Sequence, residues 1–178
     1  MLGKGSYGKV YKVQRQGDEK FYALKETDLS ALSHLERMDA VNEIRLLVSV
    51  NHPNVVRISA LLTSLHGEKN SDLLNSLLPL SSAQIRYNEA FLNGNKLCCV
   101  MEYAPFGDLR YYISKGQRLN APFPEEAIWR IFLQLCKGLS NLHSNHIIHR
   151  DIKPANIVLC QNDLLKIGDL GVAKALTK

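Results

Sequence analysis

Residues 149–156 bring together His149, Arg150, Asp151, Lys153 and Asn156, and Asp169 follows closely within Gly168-Asp169-Leu170-Gly171. Two carboxylates, a carboxamide and an ammonium group thus fall close together, between apolar runs that read as strands. The chemistry that calls for this inventory is phosphoryl transfer. One carboxylate orients an attacking hydroxyl and accepts its proton, and an ammonium steadies the phosphate. An amide oxygen and a second carboxylate hold magnesium. Such a set needs a nucleotide, so the rest of the chain must supply a place for one.

Bulk properties bound the answer without deciding it. At 178 residues the chain can bury a core as one domain or as two small lobes. An apolar fraction of 46% and a charged fraction of 22% are those of an ordinary soluble globular protein. The net charge of +5 comes from basic residues interleaved with acidic ones, with no dense Lys/Arg block, so a nucleic-acid partner is not expected. Cys98, Cys99, Cys136 and Cys160 form no CxxC pair and no secretory leader precedes them. A disulfide framework or zinc site is therefore not expected, and a reducing cytoplasmic or nuclear setting is. No apolar run approaches the length of a membrane span.

The chain opens with Gly3-Lys4-Gly5-Ser6-Tyr7-Gly8-Lys9-Val10. A GxGxxG that continued into an amphipathic helix would suggest a dinucleotide fold. Here Val10-Tyr11-Lys12-Val13 alternates like a strand, turns at Gln16-Gly17-Asp18, and returns as Phe21-Tyr22-Ala23-Leu24-Lys25. A glycine loop inside a β-hairpin reads as a lid whose backbone N–H groups approach phosphate oxygens; standing alone it would be an ordinary turn. Lys25, on the returning strand, can reach phosphates beneath that lid. Ser33-His34-Leu35-Glu36 has capping-box spacing, and Leu35, Met38, Val41, Ile44, Leu47 and Val48 then recur at helical intervals. Glu43 lies beside this stripe, where it is either solvated or turned inward onto Lys25. Asn51-His52-Pro53-Asn54 ends the helix.

Residues 56–84 interrupt the pattern. The stretch is long for a loop inside a compact lobe. Removing it joins Pro53-Asn54-Val55 directly to Ile85-Arg86-Tyr87-Asn88-Glu89-Ala90-Phe91, a continuous strand leading to a turn at Asn93-Gly94. Val56-Arg57 can be encoded GT(A/G)AG, like a splice donor. Residues 77–84 can be encoded as a pyrimidine tract closing in CAG. The segment reads as translated intron, with a genuine surface insertion as the rival; sequencing transcripts across the junction separates them.

Leu97-Cys98-Cys99-Val100-Met101 is an apolar strand, and residues 102–107 form a connector whose backbone can face an adenine edge. Met101 would stand at the back of that pocket. Asp108 either accepts from a ribose hydroxyl or caps the helix that starts at Leu109, or does both. A stronger helix begins at Pro124-Glu125-Glu126, with Ile128, Ile131, Phe132, Leu135, Leu139 and Leu142 as its core face. Ile157-Val158-Leu159 and Leu164-Leu165-Lys166-Ile167 flank a turn at Gln161-Asn162-Asp163. His149 reads as a hydrogen-bonded core residue.

Taken in order, Gly3/Gly5/Gly8/Val10, Lys25, Glu43, Met101-Glu102-Tyr103, residues 151–156 and Asp169-Leu170-Gly171 resemble the eukaryotic protein kinases. The resemblance covers nearly the whole chain outside 56–84. It implies an α+β, two-lobed fold: a five-stranded antiparallel sheet plus one helix in residues 1–101, a hinge over 102–107, and a mostly helical, incomplete second lobe over 108–178. It implies ATP and Mg²⁺ as cofactors and protein Ser/Thr hydroxyls as substrates. Asp151 would orient the hydroxyl and Lys153 would contact the γ-phosphate, while Lys25 paired with Glu43 would anchor the α/β-phosphates. Asn156 and Asp169 would hold Mg²⁺. Leu2, Gly3, Lys4, Gly5 and Gly8 would line the lid; Val10, Ala23 and Val158 would sandwich adenine. Met101, Glu102, Ala104 and Asp108 would complete the nucleotide site, Glu102 and Ala104 through backbone bonds.

Lys153-Pro154 after Asp151 resembles the Ser/Thr kinases. Asn42-Glu43, His52-Pro53-Asn54, Tyr103-Ala104 and the 168–174 stretch resemble the NIMA-related kinases, which implies cytoplasmic, nuclear or cytoskeleton-associated roles. Ala155 and Leu170 stand where many kinases carry Glu and Phe. The chain stops nine residues after Asp169, at Lys178. The remainder of the activation segment and the later helices would lie beyond it, leaving the Ile128–Leu142 face short of partners. The expectation is an incomplete kinase domain. A nucleotide-binding scaffold without catalysis is the alternative, and a small-molecule kinase on the same fold a third.

Overall fold

The computed structural model describes residues 1–4, 8–30, 32–57, 90–171 and 173–176, which fall into two compact units. Of the described residues, one unit draws on those within 1–48 and 90–102, the other on those within 49–57 and 103–176. Gly5 and residues 58–84 of the interrupting segment lie outside the described residues.

The first unit is an antiparallel sheet with one helix. Its strands are β1 (Gly3–Lys4), β2 (Lys9–Gln14), β3 (Phe21–Asp28), β4 (Ala90–Asn93) and β5 (Lys96–Glu102), in the order β1-β2-β3-β5-β4. Register decides which side chains share a face. Val10 pairs with Lys25 and Lys12 with Ala23; across β3, Lys25 pairs with Cys99 and Ala23 with Met101. Directly paired residues point the same way and alternate residues return to the same face, so Val10, Ala23, Lys25, Cys99 and Met101 share one side.

Helix α1 (His34–Ser49) lies on that side. Its start is the capping box expected from sequence: Ser33 donates to Glu36 from its N–H (2.8 Å) and its hydroxyl (2.7 Å). Val41 of α1 packs with Leu29 and Leu97, and Leu32, Ala40 and Ile44 close the cluster. Each such side chain contributes about 1.5–3 kcal/mol when fully removed from water. Leu35, expected on the core stripe, is instead exposed in the first turn of α1.

The β2–β3 turn is tied by Asp18, which accepts from both arms of the Arg15 guanidinium, from the Lys20 N–H (3.1 Å) and from the Tyr22 hydroxyl (3.2 Å). Hydrogen bonding from Arg15 above all holds the Asp18 carboxyl down at about 2.

The second unit contains α2 (Leu109–Arg118), α3 (Glu125–Ser144), β6 (Ile147–Ile148), a 3₁₀ turn (Pro154–Asn156), β7 (Ile157–Leu159), β8 (Leu165–Ile167) and β9 (Lys174–Ala175). β7 and β8 form a hairpin, and β6 pairs with β9. At the tip of the hairpin Asn162 and Asp163 both take positive φ (57° and 55°), the backbone that suits a two-residue turn.

Residues 49–57, which follow α1, cluster with this unit. The physical reason is a set of bonds to β8. The Ile167 N–H donates to Asn54 O (2.9 Å), the Val56 N–H donates to Ile167 O (2.8 Å), and the Asn54 carboxamide donates to Leu165 O (2.8 Å) and Gln134 Oε1 (2.9 Å). Gly138 of α3 permits this approach: a Cβ there would sit 2.8 Å from both Asn54 O and Ile167 Cδ1. Mid-helix glycine costs about 1 kcal/mol relative to alanine, and close contact is the compensation.

The expected core face of α3 divides. Leu142 is fully buried, but Ile128 and Phe132 are about half exposed (53% and 51%), as are their neighbours Trp129 and Leu133. α3 meets β6 and β8, and its buried residues, Gly138 and Leu142, lie in its C-terminal half. No helix among the described residues is long and apolar enough to cross a membrane.

Candidate active site

In the first unit, β3 and α1 bring Lys25 and Glu43 together. The Lys25 ammonium donates to both Glu43 oxygens, at 2.6 and 2.8 Å, with the two side chains only 18% and 10% exposed. Two rigid elements therefore fix the ammonium in position on the face that also carries Val10, Ala23, Cys99 and Met101. Cys99 was not singled out from sequence. The period-two alternation that places Met101 on this face places Cys99 there too.

Gly8 follows the part of the lid that lies outside the description. A Cβ on it would fall 2.2 Å from the Glu26 carbonyl oxygen. Its lack of a side chain thus serves close approach to β3. Gly3 has nothing within 4 Å of such a Cβ. Leu2 is half exposed and donates its N–H to Val10 O (2.7 Å), while Lys4 pairs along the backbone with Lys9. Glu102 ends β5 opposite Tyr22, on the face away from Lys25, so backbone groups are what it can offer toward a ligand on the Lys25 face.

In the second unit, residues 149–156 form a self-supporting loop. His149 is almost fully buried (1% exposed) and bonds at both ring nitrogens. Nε2 donates to Gly168 O (3.0 Å), because a carbonyl can only accept, and Nδ1 receives the Asp151 N–H (3.3 Å). The ring thereby holds the backbone of Asp151 in a defined relation to the 168–171 turn. Arg150 and Asp169 on either side take positive φ (65° and 57°), a conformation that side chains seldom adopt and that the surrounding bonds impose.

Asp151 Oδ2 accepts from Lys153 Nζ (2.6 Å) and from Asn156 Nδ2 (2.9 Å), and Asn156 Nδ2 also reaches the Asp151 carbonyl (2.9 Å). Both side-chain bonds fall on Oδ2, which leaves Oδ1 for an incoming hydroxyl. The Lys153 ammonium, first among the causes, and the Asn156 amide hold the Asp151 carboxyl below the ordinary carboxylate value, against partial burial. The group is ionised at neutral pH and can accept a proton.

The same bonds orient Asn156. With Nδ2 committed to Asp151, its buried carboxamide has Oδ1 as the lone-pair end, and the Asp169 carboxylate is exposed. Gly168 donates its N–H to Asn156 O (2.8 Å), tying the two segments together. Among the described residues no cluster of three His, Cys, Asp or Glu side chains could hold a metal. A magnesium ion does not need one. It takes hard oxygen ligands, and one amide oxygen and one carboxylate completed by phosphate and water are its usual company.

Asp108 caps α2, accepting the Tyr111 N–H (2.8 Å), which realises the capping alternative. Val158 forms an isolated bridge with Asp108, and Ala104 O accepts from the Gly107 N–H (3.5 Å) at the connector's turn. Asn54, Gln134 and Gly138, which brace β8 beneath this loop, were not anticipated. Gly138 within an otherwise apolar helical stripe was the one available signal.

A model of the protein kinase domain matches residues 1–178. The chain belongs to the protein kinase family. It is 32% identical over 177 residues to the serine/threonine-protein kinase Nek1 of Mus musculus, a match covering 98% of the chain and 12% of that protein. Over 180 residues it is 31% identical to Nek2 of Homo sapiens, covering 98% of the chain and 34% of the relative. Nek8 of Danio rerio is 32% identical over 177 residues, 99% of the chain and 21% of that protein. The chain therefore spans about a third or less of the length of these curated relatives. The NIMA-related resemblance read from the motifs is the same grouping that these names carry.

Proposed function

We propose that this kinase chain serves ATP- and Mg²⁺-dependent transfer of a γ-phosphoryl group to Ser or Thr hydroxyls of proteins. The observation that carries the reading is the engagement of Asp151 Oδ2 by both Lys153 and Asn156. It leaves one carboxylate oxygen for a hydroxyl and one amide oxygen for a metal. Bound Mg²⁺ would neutralise charge on the transferred phosphate, with Asn156 and Asp169 as its protein ligands. Asp151 orients the nucleophilic hydroxyl and takes its proton as attack proceeds. Lys153 is placed to exchange its bond to Asp151 for one to phosphate. Lys25, steadied by Glu43, supplies a fixed ammonium for the phosphates, and Val10, Ala23 and Met101 on the same sheet face supply apolar surface for the base.

The name serine/threonine-protein kinase, carried by all three relatives above, supports the substrate class, as does Lys153-Pro154 following Asp151. A reducing cytoplasmic or nuclear setting is part of this proposal, supported by cysteine usage. Changing Asp151 to Asn removes the proton acceptor while keeping a hydrogen-bonding shape. The full-length protein should then lose on the order of 10²–10⁴ in turnover on a Ser/Thr protein substrate, with nucleotide binding kept. Wild-type turnover in that variant would refute the role of Asp151. Nucleotide binding by the unaltered protein without any transfer would instead favour a non-catalytic scaffold.

A further inference from the structure

Residues 54–57 enter the second unit in a defined way. Val55 is fully buried and bridges Ile167; Val56 is 6% exposed, with its N–H on Ile167 O; Arg57 is exposed. Gly168 makes the room for Val56, since a Cβ on Gly168 would lie 3.3 Å from Val56 Cγ2. The position thus selects a β-branched aliphatic followed by a residue that tolerates solvent. A branched aliphatic followed by Arg stands at each end of the interrupting stretch. Val56-Arg57 opens that stretch, and Ile85-Arg86 directly follows it.

We infer that Val56-Arg57 and Ile85-Arg86 are interchangeable occupants of one slot beside Ile167 and Gly168, and that the residues separating them are dispensable to the fold. Half of what the slot requires is independent of sequence, because the bond to Ile167 O uses a backbone N–H. The other half is a branched side chain, and isoleucine differs from valine by one methylene. Excision of 56–84 leaves Ile85 next to Val55 and only residues 86–89 as the link to β4. Connections between elements have a median of about 4–6 residues, and loops beyond about 12–15 are uncommon. The excised chain has the commoner link.

The test uses two deletions of the full chain. Removing 56–84 gives Val55-Ile85-Arg86-Tyr87; removing 58–86 gives Val55-Val56-Arg57-Tyr87. The products differ at one position, Ile against Val. Both should melt cooperatively, within about 3 °C of each other and no lower than the undeleted chain, since the change is one buried methylene. A reciprocal pair of substitutions locates the slot. In the undeleted chain Val56→Asp should lower Tm by several degrees and Ile85→Asp should leave it nearly unchanged. In the chain lacking 56–84, Ile85→Asp should now carry the loss. Failure of both deletions to fold when the undeleted chain does would show the segment to be required. Success of the 58–86 deletion alone, or a silent Ile85→Asp in the 56–84 deletion, would show that Ile85 does not enter the slot. Each of those results overturns the inference.

Discussion

Each unit contains one lysine–carboxylate pair central to the proposed chemistry, and the two are built differently. Lys25 and Glu43 come from separate elements, meet through both carboxylate oxygens, and are mostly hidden from water. Lys153 and Asp151 are two residues apart, meet through one oxygen, and are 51% and 34% exposed. A buried pair adds little net stability, because desolvation offsets attraction, but it fixes where a charge stands. An exposed pair is cheap to open and close. The first pair suits holding a phosphate at a set place; the second suits a reaction in which both partners change contacts.

The sharpest way to break this contrast is to remove one member of the buried pair. Lys25→Met leaves the Glu43 carboxylate without its principal counter-charge. Stability in urea should fall by somewhat less than the about 3–5 kcal/mol typical of a fully buried pair. Activity should fall by about 10²-fold or more through lost phosphate positioning. The double change Lys25→Met with Glu43→Leu should recover most of the stability and none of the activity. Recovery of both would mean that the pair is structural only.

Next in size is Gly8→Ala. Its Cβ would meet the Glu26 carbonyl, so β2 and β3 must shift, at a cost of about 1–3 kcal/mol. Gly3→Ala, with open space, should stay within about 0.5 kcal/mol. Equal melting shifts for the two would remove the packing argument for Gly8.

For the exposed pair the sensitive reading is pH. The Asp151 value is lowered in the folded protein, so its ionised form persists into acid and its stabilising bonds are present above the unfolded value of about 3.9. They are lost as pH falls through the lower folded value. Lys153→Met should move the acid limb of kcat/KM to higher pH, beyond any loss at the plateau. An unmoved limb would assign that limb to another group.

The smallest expected effect is at the β2–β3 turn. With the Asp18 carboxyl near 2, its contribution is fully present above about pH 4 and is lost as pH falls through about 2. Asp18→Asn should flatten the pH dependence of melting across that acid window and do little to activity at neutral pH.

Much of this was legible because the informative signals are local. Alternation gave β2, its return after the Gln16-Gly17-Asp18 turn gave β3, and a continuous apolar run gave β5. Ser33 with Glu36 gave the start of α1, and Asn162-Asp163 gave the β7–β8 turn. What sequence reading missed depends on long-range approach. Nothing near Asn54 in the sequence announces Leu165, Gln134 or Ile167 as its partners. Leu35 and Phe132 fit a helical stripe by spacing alone, but spacing does not say how far the partner surface extends. For the site, residue types and order implied the roles of Lys25 and Glu43, whereas the doubled hydrogen bond on Asp151 Oδ2 required coordinates.

The half-exposed Trp129 on α3 has one more consequence. It is the sole tryptophan of the chain, held edge-on to Phe132 at 5.8 Å between ring centres and bonded through its indole N–H to Glu125. Excitation at the red edge of the protein spectrum therefore lights one helix of the second unit and leaves the sheet of the first dark. Emission colour and quenching by iodide would report whatever comes to cover α3, as a built-in optical probe that needs no label.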